Sequence, residues 1–383
     1  MIHRSITTRF LLERNKEQSL EFIKPENKLL RQYYREKYPT EICAYKCMDG
    51  RLSLPVITKV PQGIIQPYRQ MGGIFDLGDP YLGNLIERWV NYSVSKKRKC
   101  LVLSTYHFSK GDHKRGCAGH GEDTKEALRW AKKLVNQHIL MSCGGKLSEN
   151  SIVYPIVVGI ETDSDGLVFH GDFGKTFSVF EKLDLGVKEI RARITELYPK
   201  MPRDIREDLM MLVLGNLEHV KSLKKNHKHS ADLVHKESVI CIGRGFSWLH
   251  EPNKALIIGP YSNPVFSIEK AIETAGKIVL KNIKEGRVSE TDGVTVMCSS
   301  FFMEEGMNRM RETIKAYSLY RMAKKVLLEK VPELSKYNLE FLVGSTSRED
   351  LLFREINPSD FEKIFEENTK LSDEESEAIR SLK

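Results

Sequence analysis

Apolar and polar residues recur at helical spacing across TTRFLLERNKEQSLEFI and again across KLLRQYYREKY, so residues 1–39 are expected to be helical, with Pro39 as the stop. The pattern then changes. ICAYKC is a short apolar run that leads into the turn CMDGRL, as a strand does. VITKVPQGIIQPYRQMGGIFDLGDP reads as strand and loop, and Gly72 and Gly73 allow a backbone approach that a side chain would block. LGNLIERWVNYSVSKK is an amphipathic helix, and Lys99 to Tyr106 is a strand apolar enough to be central in a parallel sheet. A polar, Gly-rich loop from Phe108 to Gly121 ends at Asp123, which with Glu126 forms a capping box for the helix DTKEALRWAKKLVNQHIL. Ser151 to Ile160 is a third strand, followed by the acidic turn ETDSDG and a short strand, LVFHG. Strands alternating with helices predict an α/β fold with a parallel sheet and crossover helices.

Residues 182–234 read as a helical connector ending in the basic stretch HVKSLKKNHKHSADLVHK. From residue 235 the pattern starts again. ESVICIGRG echoes EICAYKCMDGR, LYRMAKKVL (319–327) echoes LRWAKKLV (128–135), and LVGSTSREDLLF (342–353) echoes VVGIETDSDGLVF (157–169). Three echoes in one order predict two α/β units in tandem. The expected division is a helical segment at 1–39, a first α/β domain at 40–181, the connector at 182–234 and a second α/β domain at 235–383. The charged tail EENTKLSDEESEAIRSLK is expected to be a loose helix or disordered.

Composition narrows the class. No apolar run approaches a membrane span, and the first residues lack a signal-peptide core, so an intracellular setting is expected. Seven cysteines, an odd number, argue against a disulfide framework. The net charge of +8 comes without a basic face or a nucleic-acid-reading motif, so no nucleic-acid partner is expected.

The chemistry gathers in the first unit. Cys47, Asp49 and Arg51 stand two residues apart at the carboxyl end of a strand, where open α/β sheets bind ligands. The strand LVLSTYHF delivers His107, and the loop after it delivers Cys117. Two Cys and one His make a three-donor zinc set with one open position, the pattern of a catalytic site. A lone buried Cys is more often an apolar filler, and a lone His near a strand end is more often structural. The second unit has Cys241, Gly243 and Arg244 but no Cys-x-Asp-x-Arg, and no His or later Cys where His107 and Cys117 would fall. If the fold alone required these residues, both copies would carry them.

CMDGR resembles the Cys-x-Asp-x-Arg signature of β-class carbonic anhydrases. GCAGHGED (116–123), GIETDSDGLVFH (159–170), GRGFSWLH (243–250) and ALIIGPYS (255–262) are similar to the carboxysome shell-associated branch of that class. The resemblance implies two carbonic-anhydrase-like units, the second degenerate, and Zn²⁺ on Cys47, His107 and Cys117. His113 stays open as an alternative ligand and His120 as a neighbour of the site. Hydroxide at the zinc's open position would convert CO2 to bicarbonate. Asp49 would orient it, and Arg51 would hold Asp49. In some relatives the equivalent Asp occupies the fourth zinc position instead. The implied setting is the bacterial cytoplasm or a carboxysome, with a homodimer or larger homo-oligomer and the carboxysome shell or carboxylase as partners. Two other readings stand beside it: a zinc hydrolase of carbonyl sulfide or carbon disulfide, and a non-catalytic scaffold stabilised by zinc.

Overall fold

The structure, a computed structural model, describes residues 4–112, 115–226, 235–249, 253–263 and 265–369. Two helices open the chain, α1 (Ile6–Ile23) and α2 (Pro25–Lys37). Ser5 caps α1 by accepting from the Thr8 amide, and Pro25 opens α2 where its missing N–H costs nothing. Then follow β1 (Glu41–Cys47), the one-turn α3 (Leu54–Ile57), β2 (Ile65–Gln70), α4 (Pro80–Ser95), β3 (Cys100–Phe108), α5 (Thr124–Cys143), β4 (Val153–Glu161), β5 (Gly166–His170) and β6 (Thr176–Ser178). The stretch from Val56 to Pro80, expected as strand and loop, holds β2, and the one-turn α3 before it has Pro55 in its first turn with a fixed helical φ. Asp123 caps α5 as expected, accepting from the amides of Lys125 and Glu126.

The first sheet runs β2-β1-β3-β4-β5-β6, with β2, β1, β3 and β4 parallel and β5 and β6 antiparallel at the edge. After α6 (Val187–Leu197) and α7 (Arg203–Lys225) come β7 (Val239–Gly243), β8 (Ala255–Ile258), α8 (Ile268–Lys284), β9 (Val294–Phe302), α9 (Met307–Lys330), β10 (Leu339–Ser347), β11 (Phe353–Ile356) and α10 (Pro358–Thr369). The second sheet runs β8-β7-β9-β10-β11, again parallel except for its last strand. The molecule is thus a mixed α/β fold with two parallel-dominated sheets and flanking helices. Strand for strand, the second sheet repeats the order of the first as far as β5.

The sheets meet through β2 and β8. Gly259 N–H donates to the Arg69 carbonyl at 2.8 Å, and Gln70 Nε2 donates to the Tyr261 carbonyl at 2.6 Å. One buried apolar cluster runs through both halves, from Ile42 and Leu103 to Ile240, Leu256 and Val296. The connector helix α7 lies on the first half. Asn216, fully buried, donates to the carbonyls of Ile57 and Asp165 and accepts from the Leu167 amide. Helix α1 packs on the second sheet. Thr8 and Thr295 share a hydroxyl contact at 2.9 Å, and Asn15 bonds the backbone of Leu351 and Phe353.

His138 on α5 is buried, with Nε2 3.0 Å from the Tyr45 hydroxyl, and burial pushes its pKa down to about 3. In the unfolded chain an imidazole titrates near 6.5. Below that pH the unfolded chain therefore binds a proton that the fold refuses. Stability present above pH 6.5 is lost as pH falls toward 3, by about 1.4 kcal/mol per unit from this residue. Urea unfolding measured from pH 7 to 4 should show a slope shallower by about one proton in His138→Gln.

Candidate metal centre

The turn after β1 is fixed from three sides. Arg69 on β2 is buried, and its guanidinium donates to the carbonyls of Asp49 (2.6 Å), Leu52 (2.9 Å) and Cys47 (3.3 Å). Buried Lys46 also donates to the Leu52 carbonyl, at 2.8 Å. The second half supplies the third side. Gly50 N–H donates to the Ala255 carbonyl, and Ile257 N–H donates to the Met48 carbonyl. Only glycine fits at position 50, because a Cβ there would lie 2.4 Å from the Ala255 oxygen.

His107 stands on β3, the neighbour of β1, and Cys117 stands on the loop that follows. The loop is held against Gly72. A Cβ at Gly119 would lie 2.6 Å from the Gly72 amide nitrogen, and His120 Nε2 lies 2.7 Å from the Gly72 carbonyl. The close backbone approach expected at Gly72 and Gly73 thus serves to place Cys117, and His120 ties the loop down. His113 lies outside the described residues.

Cys47, His107 and Cys117 are buried, and their donor atoms all lie within 4.8 Å of one another. The two sulfurs are 3.7 Å apart. Two thiolates on one tetrahedral zinc, at about 2.3 Å each, would be about 3.8 Å apart. Neither ring nitrogen of His107 has a hydrogen-bond partner, although the ring is almost fully buried. A buried polar group normally has a partner, so an imidazole aimed at two sulfurs fits a metal ligand. The thiols fit it too. A hydrogen bond from Cys117 pushes Cys47 down toward the thiolate, and the same contact pushes Cys117 up. Only a cation between them would favour ionisation of both.

Beside them, both oxygens of Asp49 are held by Arg51, through Nη2 (2.6 Å), Nε (3.0 and 3.1 Å) and the Arg51 amide (2.9 Å). Burial alone would push the Asp49 carboxyl up, but the Arg51 charge and hydrogen bonds outweigh it and hold the carboxyl well below the usual range. Asp49 is not among the converging donors.

The site opens on a cavity of about 150 Å³ whose far wall is the second half: Leu256 of β8, Ile278, Lys281 and Asn282 of α8, with His235 and Arg287. Reading the sequence missed this wall. His235 Nδ1 lies 2.7 Å from Oε1 of Glu237, which is fully buried and also bonded by Asn282. Their i, i+2 spacing just before a strand places both side chains on one side, but nothing local says that this side faces Asp49. Arg69 was missed for the same reason.

Residues 39–179 match the family model of the Carboxysome Shell Carbonic Anhydrase, catalytic domain. That family is a carbonic anhydrase. Cys47, Asp49, Arg51, His107 and Cys117 all fall inside the matched segment. The chain matches no curated protein. The matched segment ends before the connector, so the wall supplied by His235, Leu256 and α8 comes from outside it.

Cys117→Ser and Cys47→Ala should each leave the purified protein with less than about a tenth of the wild-type zinc, measured by atomic emission. Thiolate ligands must be deprotonated, so zinc should leave the wild-type protein as pH falls and return as it rises. Full zinc content in both variants would remove the sulfurs from the ligand set.

Proposed function

We propose that this chain reversibly hydrates CO2 to bicarbonate at a zinc held by Cys47, His107 and Cys117. The observation that carries this reading is the buried, unpartnered imidazole of His107 beside two sulfurs at 3.7 Å, on the wall of a cavity. Three protein donors leave a fourth position, as catalytic zinc sites do. Zinc bound there supplies a Lewis acid that makes hydroxide available near neutral pH.

The chain's own residues do the rest. Asp49, kept ionised by Arg51, accepts a hydrogen bond from the reacting oxygen and so sets which lone pair faces CO2. Met48, Ala118, Leu256 and Ile278 give CO2 an apolar surface in the cavity. Each turnover leaves one proton from water to be removed. His235 takes it: its Nδ1 is held by the Glu237 carboxylate, which leaves Nε2 to receive the proton and pass it to solvent.

The division at 1–39, 40–181, 182–234 and 235–383 belongs to the same proposal, with the last unit a degenerate copy of the second. The shared strand order supports it. So does Phe301, which stands at the eighth position of β9 where β3 has His107. The family's name supports work at the shell of a bacterial carboxysome, and the carboxylase enters the proposal as a further partner. Exposed Leu29, Leu30 and Tyr33 on α2 support a homo-oligomer.

The test is stopped-flow CO2 hydration by the native, chelated and zinc-restored protein, with carbonyl sulfide and carbon disulfide assayed in parallel. Hydration lost on chelation and restored by zinc is expected; a zinc-replete protein inert toward CO2 sinks the proposal. Asp49→Asn should keep its zinc and lose about 10²-fold or more in kcat. His235→Ala should lower kcat by about tenfold or more in dilute buffer, with recovery in imidazole buffer and no change in zinc content.

A further inference from the structure

The carboxyl end of β7 has a cavity of its own, of about 50 Å³. Gly243, Arg244 and Gly245 form one side, and Gln66 and Arg69 of β2 form the other. Phe301 lines it, as His107 lines the first cavity. Each cavity thus lies at the end of the first strand of one sheet and is closed by the edge strand of the other. The two differ in chemistry. Where the first holds sulfurs and an imidazole, the second holds two guanidiniums.

No acidic residue stands in this wall among the described residues. Arg69 donates only to main-chain carbonyls. Arg244 has the Tyr68, Tyr81 and Tyr261 hydroxyls as its electrostatic neighbours and, among the described residues, forms no ion pair. A guanidinium in a protein keeps its proton, so two positive charges border a half-enclosed space; the Asp49 carboxylate acts on Arg69, while Arg244 has no acidic partner among the described residues. Arg244 is half-buried without such a partner, and an anion in that space would compensate it. The volume exceeds by several-fold the roughly 10–15 Å³ that one water needs, which admits a small ion and excludes a nucleotide. The planar fork of Arg244 suits the flat edge of a trigonal oxyanion.

We propose that the cavity at the end of β7 binds a small trigonal oxyanion, anchored on Arg244 with Arg69 as the second cation. The site stands on its own geometry; only the choice of bicarbonate as its natural occupant rests on the carbonic anhydrase reading. Thermal unfolding of the full chain tests it, with sodium nitrate or sodium bicarbonate replacing sodium chloride at constant ionic strength. A saturable rise in Tm is expected with both salts in the wild-type protein and in Cys47→Ser, which lacks a metal-ligand sulfur. In Arg244→Gln the midpoint should move up at least tenfold. Gln66→Glu, which places a carboxylate in the cavity, should abolish the shift and raise Tm in chloride. Loss of the effect in Cys47→Ser would locate the anion at the first site. No saturable shift, or one unchanged by either cavity substitution, would overturn the proposal, and an equal effect of sulfate would overturn the trigonal geometry. Nitrate without bicarbonate would keep the site and remove its tie to the carbonic anhydrase reaction.

Discussion

One buried guanidinium holds the rest in place. Arg69 donates to three carbonyls of the turn that follows β1. A strand that ends in a turn leaves its carbonyls without ladder partners, and buried carbonyls need donors. Arg69 satisfies them from the neighbouring strand and so sets the path of the backbone between Cys47 and Leu52. Burial pushes its own pKa down to about 10, against the opposing pull of the Asp49 carboxylate. The direction in which Cys47 and Asp49 point follows from that clamp.

The second half completes what the clamp begins. Ala255 and Ile257 bond the backbone of Gly50 and Met48, so β8 extends the turn by a short ladder. The site's geometry is therefore a property of both halves. The buried Asp49–Arg51 pair illustrates the energetics. Such a pair gains little over apolar packing, but removing one partner strands a buried charge. Its worth lies in keeping a carboxylate ionised and oriented in a cavity with apolar walls.

Both cavities sit where open parallel sheets place ligands, outside the carboxyl ends of strands. The fold supplies the location twice, and the side chains decide the chemistry. Cys47, His107 and Cys117 suit a soft metal cation, whereas Gly243, Arg244 and Phe301 offer no metal donor.

The sequence alone determined the helices at the start, the parallel strands, the cap at Asp123, the repeated strand order and the donor set of Cys47, His107 and Cys117. These follow from local periodicity, capping and residue chemistry, which short stretches carry. Only the tertiary structure decided that α1 leans on the second sheet, that Arg69 grips the turn, and that His235 and Glu237 face Asp49 from far along the chain. Those contacts depend on how two sheets meet through β2 and β8, and no periodicity within either sheet encodes the angle at which it meets the other.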